Sequence, residues 1–290
     1  MEEVMNKKKI YTTWYAAPAL MIFGVFFVLP MLLSLFFSLT VWNFTDFRFV
    51  GFDNFIMFFT EKSLNIGVKN TLIYAVLTCG LKVILSLILA VFLTSAIKTK
   101  NFLRSLVFFP NLISTIAVGI TFCALMHPTK GLFNLVLESF GLPGVDWLGN
   151  VKLALYSVIM TDVWKGVSIS TVIHIAGIQA IDKTYYEAAA IDGATGFQKF
   201  RHITVPLVRP STNSIIILAF VSGMRTFDLI WSMTGGGPGF ATDVLSSIIY
   251  KQYAAGFYGL STAGNVIMFL LIAVIAFPLQ KFLLSKEADT

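Results

Sequence analysis

Residues 184–210 read TYYEAAAIDGATGFQKFRHITVPLVRP. This is the longest well-charged insert between two very apolar stretches of the chain. Thr184-x-x-Glu187 has the spacing of a capping box, in which a hydroxyl and a carboxylate satisfy free N–H groups at a helix start. Ala188, Ala189 and Ala190 follow, so one side of that helix is small and open to close approach. Asp192-Gly193 breaks the helix. Thr195-x-x-Gln198 repeats the capping-box spacing, Phe197, Phe200 and Ile203 recur at helical intervals, and Pro206 and Pro210 close the stretch. The pattern predicts a helix–turn–helix held at a membrane surface.

The composition on either side supplies that membrane. Of 290 residues, 57% are hydrophobic and 12% charged, against about 25% charged in a soluble domain. No interior of this size hides so much apolar surface, so the solvent must be lipid. A formal charge of +6 raises nucleic acid as a partner. It is excluded because the basic residues lie in short loops beside apolar runs rather than in one patch. Cys79 and Cys123 both fall inside apolar segments and support neither a disulfide framework nor a metal site. His127, His174 and His202 are scattered without ligand spacing, so neither metal nor cofactor is expected.

Six runs have the ~20 residues needed to cross hydrocarbon as a helix. They are about 16–39, with Pro30 expected to bend it, then 71–94, 105–126, 153–180, 211–233 and 261–284. The apolar run after Lys7, Lys8 and Lys9 is too long for a signal peptide and lacks a small-x-small cleavage site. With the amino terminus inside, Lys7, Lys8, Lys9, Lys98, Lys100, Arg104, Lys183, Lys199, Arg201, Arg209, Lys281 and Lys286 are internal. Arg48, Lys62, Lys69, Lys130, Lys152 and Lys251 are external. The excess of internal cations predicts that both termini, and residues 184–210, are cytoplasmic.

Glu187-Ala188-Ala189, then Gly193, Ile203 and Val205-Pro206, at these intervals, resemble the EAA loop of binding-protein-dependent ABC importer permeases. The usual leucine before the proline is valine here. The resemblance implies an all-α integral membrane protein of six transmembrane helices, with the type I ABC importer permease fold. Residues 1–69 would hold the cytoplasmic tail, first helix and external loop. The permease domain would run over 70–284, with its coupling loop at 184–210, and 285–290 would form a second tail. It also implies that Glu187, Ala188, Ala189, Gly193, Ile203 and Pro206 meet a separate ATPase. The partners implied are a second permease subunit, a cytoplasmic ATPase dimer and an external substrate-binding protein, in the membrane of a prokaryote. Residues 227–242, FDLIWSMTGGGPGFAT, are similar to the segment leaving the fifth span in sugar-uptake members. A sugar, oligosaccharide or polyol is the substrate that likeness implies.

Lys82, Asp162, Lys165, Arg225 and Asp228 lie inside spans, where charge is costly and marks function by default. Asp162 with Lys165, and Arg225 with Asp228, sit at i, i+3 and can neutralise one another on one helix face. Alternatively these faces line a translocation path and bind sugar hydroxyls, with Trp231 beside them as a stacking ring. Lys82 has no partner on its own helix and two candidates on others, Asp162 and Asp228. Gly235 to Gly239 lacks the Lys-Ser/Thr of a nucleotide loop and reads as a flexible turn at the pore mouth. Neither a Walker motif nor a nucleophile elbow is present, so the chain is expected not to be an enzyme. An ion-coupled secondary transporter of a small polar solute is the rival reading, since such carriers use charged groups at the midplane. The EAA-like spacing argues against it.

Overall fold

The computed structural model describes residues 13–95 and 97–287. Lys7, Lys8, Lys9 and the Lys286 side chain, invoked above for orientation, lie outside them. Helix α1 (Trp14–Ser38) is so apolar and so little buried that lipid must cover it. Pro30 lacks an N–H, and its ring would strike the carbonyl four residues back. A π turn over Gly24–Val28 widens the helix ahead of it, so Pro30 sits within one span.

Beyond α1 the expected loop is structured. Strands β1 (Thr40–Trp42) and β2 (Phe47–Phe49) form an antiparallel hairpin with Thr40 opposite Phe49. It is the one departure from all-α among the described residues. Helix α2 (Asp53–Thr60) follows, and buried Asn54 donates to the carbonyls of Ser38, the last residue of α1, and Thr40, the first of β1 (2.9 and 2.8 Å).

Helix α3 (Lys62–Thr94) begins nine residues before the expected Thr71 and is the axis of the bundle. Its first turn hangs on the Glu61 carbonyl, which accepts from Leu64 and Asn65. The expected third span is two helices, α4 (Lys100–Leu112) and α5 (Thr115–Leu125), meeting at 98°. Pro110 weakens the last turn of α4, and Ile113 is extended (φ −84°, ψ 140°). A short α6 (Leu132–Ser139) leads to α7 (Ala154–Gln179), which matches the expected fourth span.

The connector helices α8 (Lys183–Ile191) and α9 (Gly196–Leu207) come next, then α10 (Arg209–Met224) at 64° to α9. The expected fifth span does not run to residue 233 as one helix. It ends at Met224, passes through Arg225–Phe227, and resumes as α11 (Asp228–Met233). Helices α12 (Leu245–Ala254) and α13 (Tyr258–Glu287) complete the chain. Among the described residues, four helices are long and apolar enough to cross a membrane, or up to six spans if each bent pair counts as one.

Helices α3, α7, α10 and α13 pack together, α12 lies across α13 and the start of α3, and α1 lies against α13. Small residues let α3 and α10 touch. A Cβ on Gly223 would lie 2.8 Å from Ala75 Cα, which is how helices associate where lipid removes the hydrophobic driving force. Buried His174 ties three helices, with Nδ1 2.8 Å from Ser86 Oγ and Nε2 3.0 Å from Thr212 Oγ1.

The glycine segment 235–239 is not a flexible turn. Thr242 Oγ1 is 2.6 Å from Thr234 Oγ1 and donates to the Gly237 carbonyl at 2.7 Å. Behind it Asn70 donates to the carbonyls of Ala241 and Asp243, and the Leu245 N–H donates to Thr71 Oγ1. The buried Asp243 carboxylate accepts from Lys251 Nζ at 2.7 and 2.8 Å and from Ser247 Oγ at 2.7 Å. Removing it strands those donors at about 1–3 kcal/mol per buried group. Asp243→Ala is therefore expected to lower the melting temperature measurably in a detergent thermal-shift assay, with Asp243→Asn losing less.

Candidate functional site

A cavity of about 920 Å³ opens in the middle of the bundle. Its walls are α3 at Lys82, the α4–α5 break at Asn111 and Thr115, α7 from Asp162 to Ile173, and α10 with the break at Arg225–Phe227. Asp162, Lys165, Arg225 and Asp228 all line it. Trp231 does not, but it stacks on Phe227, which does, with centroids 5.6 Å apart at 17°.

The charges do not pair as the i, i+3 spacing suggests. Asp162 accepts from Lys82 Nζ at 2.8 Å across the α3–α7 interface, and that resolves which carboxylate Lys82 takes. Lys82 is 5% exposed and Asp162 23%, so Lys82 reaches the cavity wall from within the protein. Gly166 makes room for it, since a Cβ there would lie 2.7 Å from Lys82 Nζ. Lys165 is left without an ion pair among the described residues. Arg225 and Asp228 form none with each other either. Arg225 closes α10 and Asp228 opens α11, so the break between them destroys the shared helix face. Asp228 instead sits at a helix start, where the backbone dipole favours a carboxylate. The result is a polar wall in an apolar bundle, with one neutralised pair and three ionisable groups free to meet a solute.

Sequence reasoning did not single out Gly166, Asn111, Thr115 or Tyr74. The last is fully buried beside Asp162. Each becomes relevant only through contacts between distant helices. Only the break at residue 113 had a local signal, Pro110 followed by Ser114-Thr115.

The second candidate region is the connector. Its first cap is not Thr184 with Glu187. Asp182 has the extended backbone of an N-cap (φ −62°, ψ 132°) and accepts from the Thr184 N–H at 2.9 Å. Aspartate caps as well as threonine, and it stands two residues earlier. That hydrogen bond holds the Asp182 carboxyl below the usual carboxylate range. Glu187 is thereby freed. It is exposed and makes no hydrogen bond or ion pair within the described residues.

Helix α8 ends in a Schellman motif. Ala194 N–H donates to the Ala189 carbonyl (2.8 Å) and Gly193 N–H to that of Ala190 (3.2 Å). Gly193 has φ +74°, a left-handed conformation that costs other residues about 1–2 kcal/mol. The expected Thr195–Gln198 capping box is formed, at 2.7 and 3.3 Å. Within α9 a π turn over Phe200–Thr204 precedes Pro206, the same device that receives Pro30. Tyr186 Oη lies 2.9 Å from Thr204 Oγ1 and clamps α8 to α9. A hollow of about 340 Å³ between them is lined by Ala189, Gly193 and Ile203 among others. Ile191 (88%), at the end of α8, and Phe197 (69%), at the start of α9, are exposed.

Comparison with known proteins gives these two regions a context. Residues 82–287 match the family described as binding-protein-dependent transport system inner membrane component. The trehalose/maltose transport system permease protein MalF of Thermococcus litoralis is 34% identical over 88% of this chain and 87% of its own. The sn-glycerol-3-phosphate transport system permease protein UgpA of Rhizobium meliloti is 32% identical over 97% and 96%. In fold, the chain is similar to a bacterial ABC transporter involved in import of the acidic polysaccharide alginate. The TM-score is 0.82 at 23% identity, covering 93% of this chain and 95% of that one. A bundle broken at the cavity, a capped connector before the fifth span and a match over more than two thirds of the chain lead to one conclusion: this multi-pass membrane protein belongs to the binding-protein-dependent transport system inner membrane components, the permease subunits of ABC importers, and is not itself an enzyme.

Proposed function

We propose that this permease carries a saccharide or a polyol derivative through the cavity by alternating access. The observation that carries the reading is the convergence of Asp162, Lys165, Arg225 and Asp228, from α7 and the α10–α11 break, on one cavity inside an apolar bundle. Ionisable groups in lipid face the bundle interior or a water-filled cavity and mark solute paths, and three of these four have no ion-pair partner among the described residues. The relatives named for trehalose, maltose and glycerol phosphate support a hydroxyl-rich substrate. Lys165 and Arg225 donate to hydroxyls, Asp228 accepts, and Trp231 backs the Phe227 ring.

In this reading both termini and the connector are cytoplasmic, and the permease domain spans 70–284. A second permease subunit closes the cavity, and an external binding protein delivers the solute. A cytoplasmic ATPase dimer seats on the connector, around Glu187, Ala188, Ala189, Gly193, Ile203 and Pro206. The exposed Ile191 and Phe197 and the unengaged Glu187 favour a protein neighbour on the connector.

The test is uptake by the complex in proteoliposomes. Arg225→Ala and Asp228→Ala are each expected to lower kcat/KM about tenfold or more, the loss of a charged hydrogen bond, with Trp231→Ala weaker. Unchanged uptake in all three removes the assignment. The chain alone, under an ion gradient, is expected to transport nothing.

A further inference from the structure

A second, smaller cavity of about 280 Å³ adjoins the first through Phe227, which lines both. Its size is at the lower edge of the roughly 300–1,000 Å³ typical of small-molecule sites, suited to one ring rather than a chain. Three aromatic residues form its walls. Tyr250 sits edge-on to Trp231 (4.8 Å) and tilted against Phe227 (5.3 Å), while Tyr253 packs on Tyr258 at 5.3 Å. Tyr250 and Tyr253 remain 43% and 59% exposed. On the remaining wall Asn265 projects from α13, about 10 Å along the helix from Tyr258 at 1.5 Å per residue.

Asn265 decides what fills the space. It is exposed, and its amide makes no hydrogen bond among the described residues. Ser261, on the same wall, already donates to the Ile249 carbonyl at 3.0 Å. An unpaired amide turned toward acyl chains costs several kcal/mol, so lipid is a poor occupant. Two exposed tyrosine rings with a free amide opposite are the chemistry of a sugar ring: C–H faces stack on aromatics and hydroxyls meet the amide.

We propose that Phe227, Tyr250, Tyr253 and Asn265 form an outer saccharide subsite, holding one ring of an oligosaccharide while the rest of it occupies the main cavity. This rests on the sugar-permease reading above. It makes the chain length of the substrate, rather than the identity of one ring, what the outer site reads.

The experiment uses the whole complex in proteoliposomes, with trehalose, maltose, maltotriose and maltotetraose as probes. Asn265→Leu, Tyr250→Ala and Tyr253→Ala are compared with Arg225→Ala as the cavity control, and co-purification of the partner subunits is measured for each. The outer variants are expected to raise KM about tenfold for the longest saccharide transported and less than about twofold for the shortest, at unchanged kcat. Arg225→Ala is expected to impair all lengths alike. Where an alanine variant fails to assemble, Tyr250→Leu and Asn265→Ser replace it and carry the same expectation. Equal effects on all lengths, or none, with Arg225→Ala still impaired, overturn the outer subsite alone. Wild-type complex that transports none of the four overturns the oligosaccharide subsite, and an unimpaired Arg225→Ala overturns the cavity reading and the subsite with it. Quenching of the Trp231 emission by brominated lipid in nanodiscs, judged against Trp231→Phe, assigns the space to lipid and also overturns the subsite.

Discussion

Lys82→Met is expected to destabilise the permease by about 3 kcal/mol, Asp162→Asn by at least as much, and the double variant to recover most of the loss. Breaking a buried ion pair from one side costs about 3–5 kcal/mol, because the remaining charge is left uncompensated, whereas removing both charges is often neutral. The asymmetry follows from exposure. Asp162, at 23%, keeps contact with the water of the cavity, whereas Lys82, at 5%, does not. Stranding the lysine is therefore the worse change. A double-mutant cycle of melting temperatures in detergent is expected to give a coupling of roughly 5 kcal/mol, the amount by which the double variant falls short of the summed single losses. Additive losses would mean that the two side chains act separately. Gly166→Ala puts a methyl group against the Lys82 side chain and is expected to reproduce part of the Lys82→Met loss. The same change in a Lys82→Met background is expected to cost much less, because the crowded side chain is gone.

The Lys82–Asp162 contact also marks where reading the chain by itself stops. The hydrophobic runs, the connector and the second capping box are local, set by periodicity and by turn chemistry within a few residues. They are therefore legible at Ala154–Gln179 and at Thr195–Gln198. The partner of Lys82 lies 80 positions away; local spacing offered Asp162 to Lys165 and left Lys82 with two distant candidates, Asp162 and Asp228. Arg225 and Asp228 failed for a different reason. Their spacing holds only on a continuous helix, and the chain breaks between them at a Phe227 backbone of φ −140°, ψ −58°. No proline or glycine in residues 225–228 announces that break. At the first cap two acceptable residues compete, Asp182 and Thr184, and the hydrogen bond goes to the earlier one. That small miss has consequences, because it leaves Glu187 without a hydrogen bond or ion pair among the described residues.

If the ATPase seats on the connector as proposed, Glu187→Lys isolates its contribution. The side chain is exposed and engages nothing within the described residues, so its reversal is expected to shift the melting temperature of the chain by less than about 0.5 kcal/mol equivalent. In the assembled complex the same change is expected to cut substrate-stimulated ATP hydrolysis about tenfold or more, the scale of a lost interface hot spot. Gly193→Pro acts through the backbone instead. Proline holds φ near −65° and has no N–H, while Gly193 needs φ +74° and donates to the Ala190 carbonyl. The Schellman turn then opens, α8 and α9 lose their fixed angle, and stimulated hydrolysis is expected to fall to the basal rate. Gly193→Ala keeps the N–H and bears only the left-handed penalty of about 1–2 kcal/mol, so it belongs between the two extremes. Membrane insertion and sugar-site occupancy are expected to survive all three, because none of them touches the cavity. If Glu187→Lys and Gly193→Pro both sustain normal stimulated turnover, the ATPase does not seat on this connector. If only Gly193→Pro fails, the turn matters for folding and Glu187 is merely solvated.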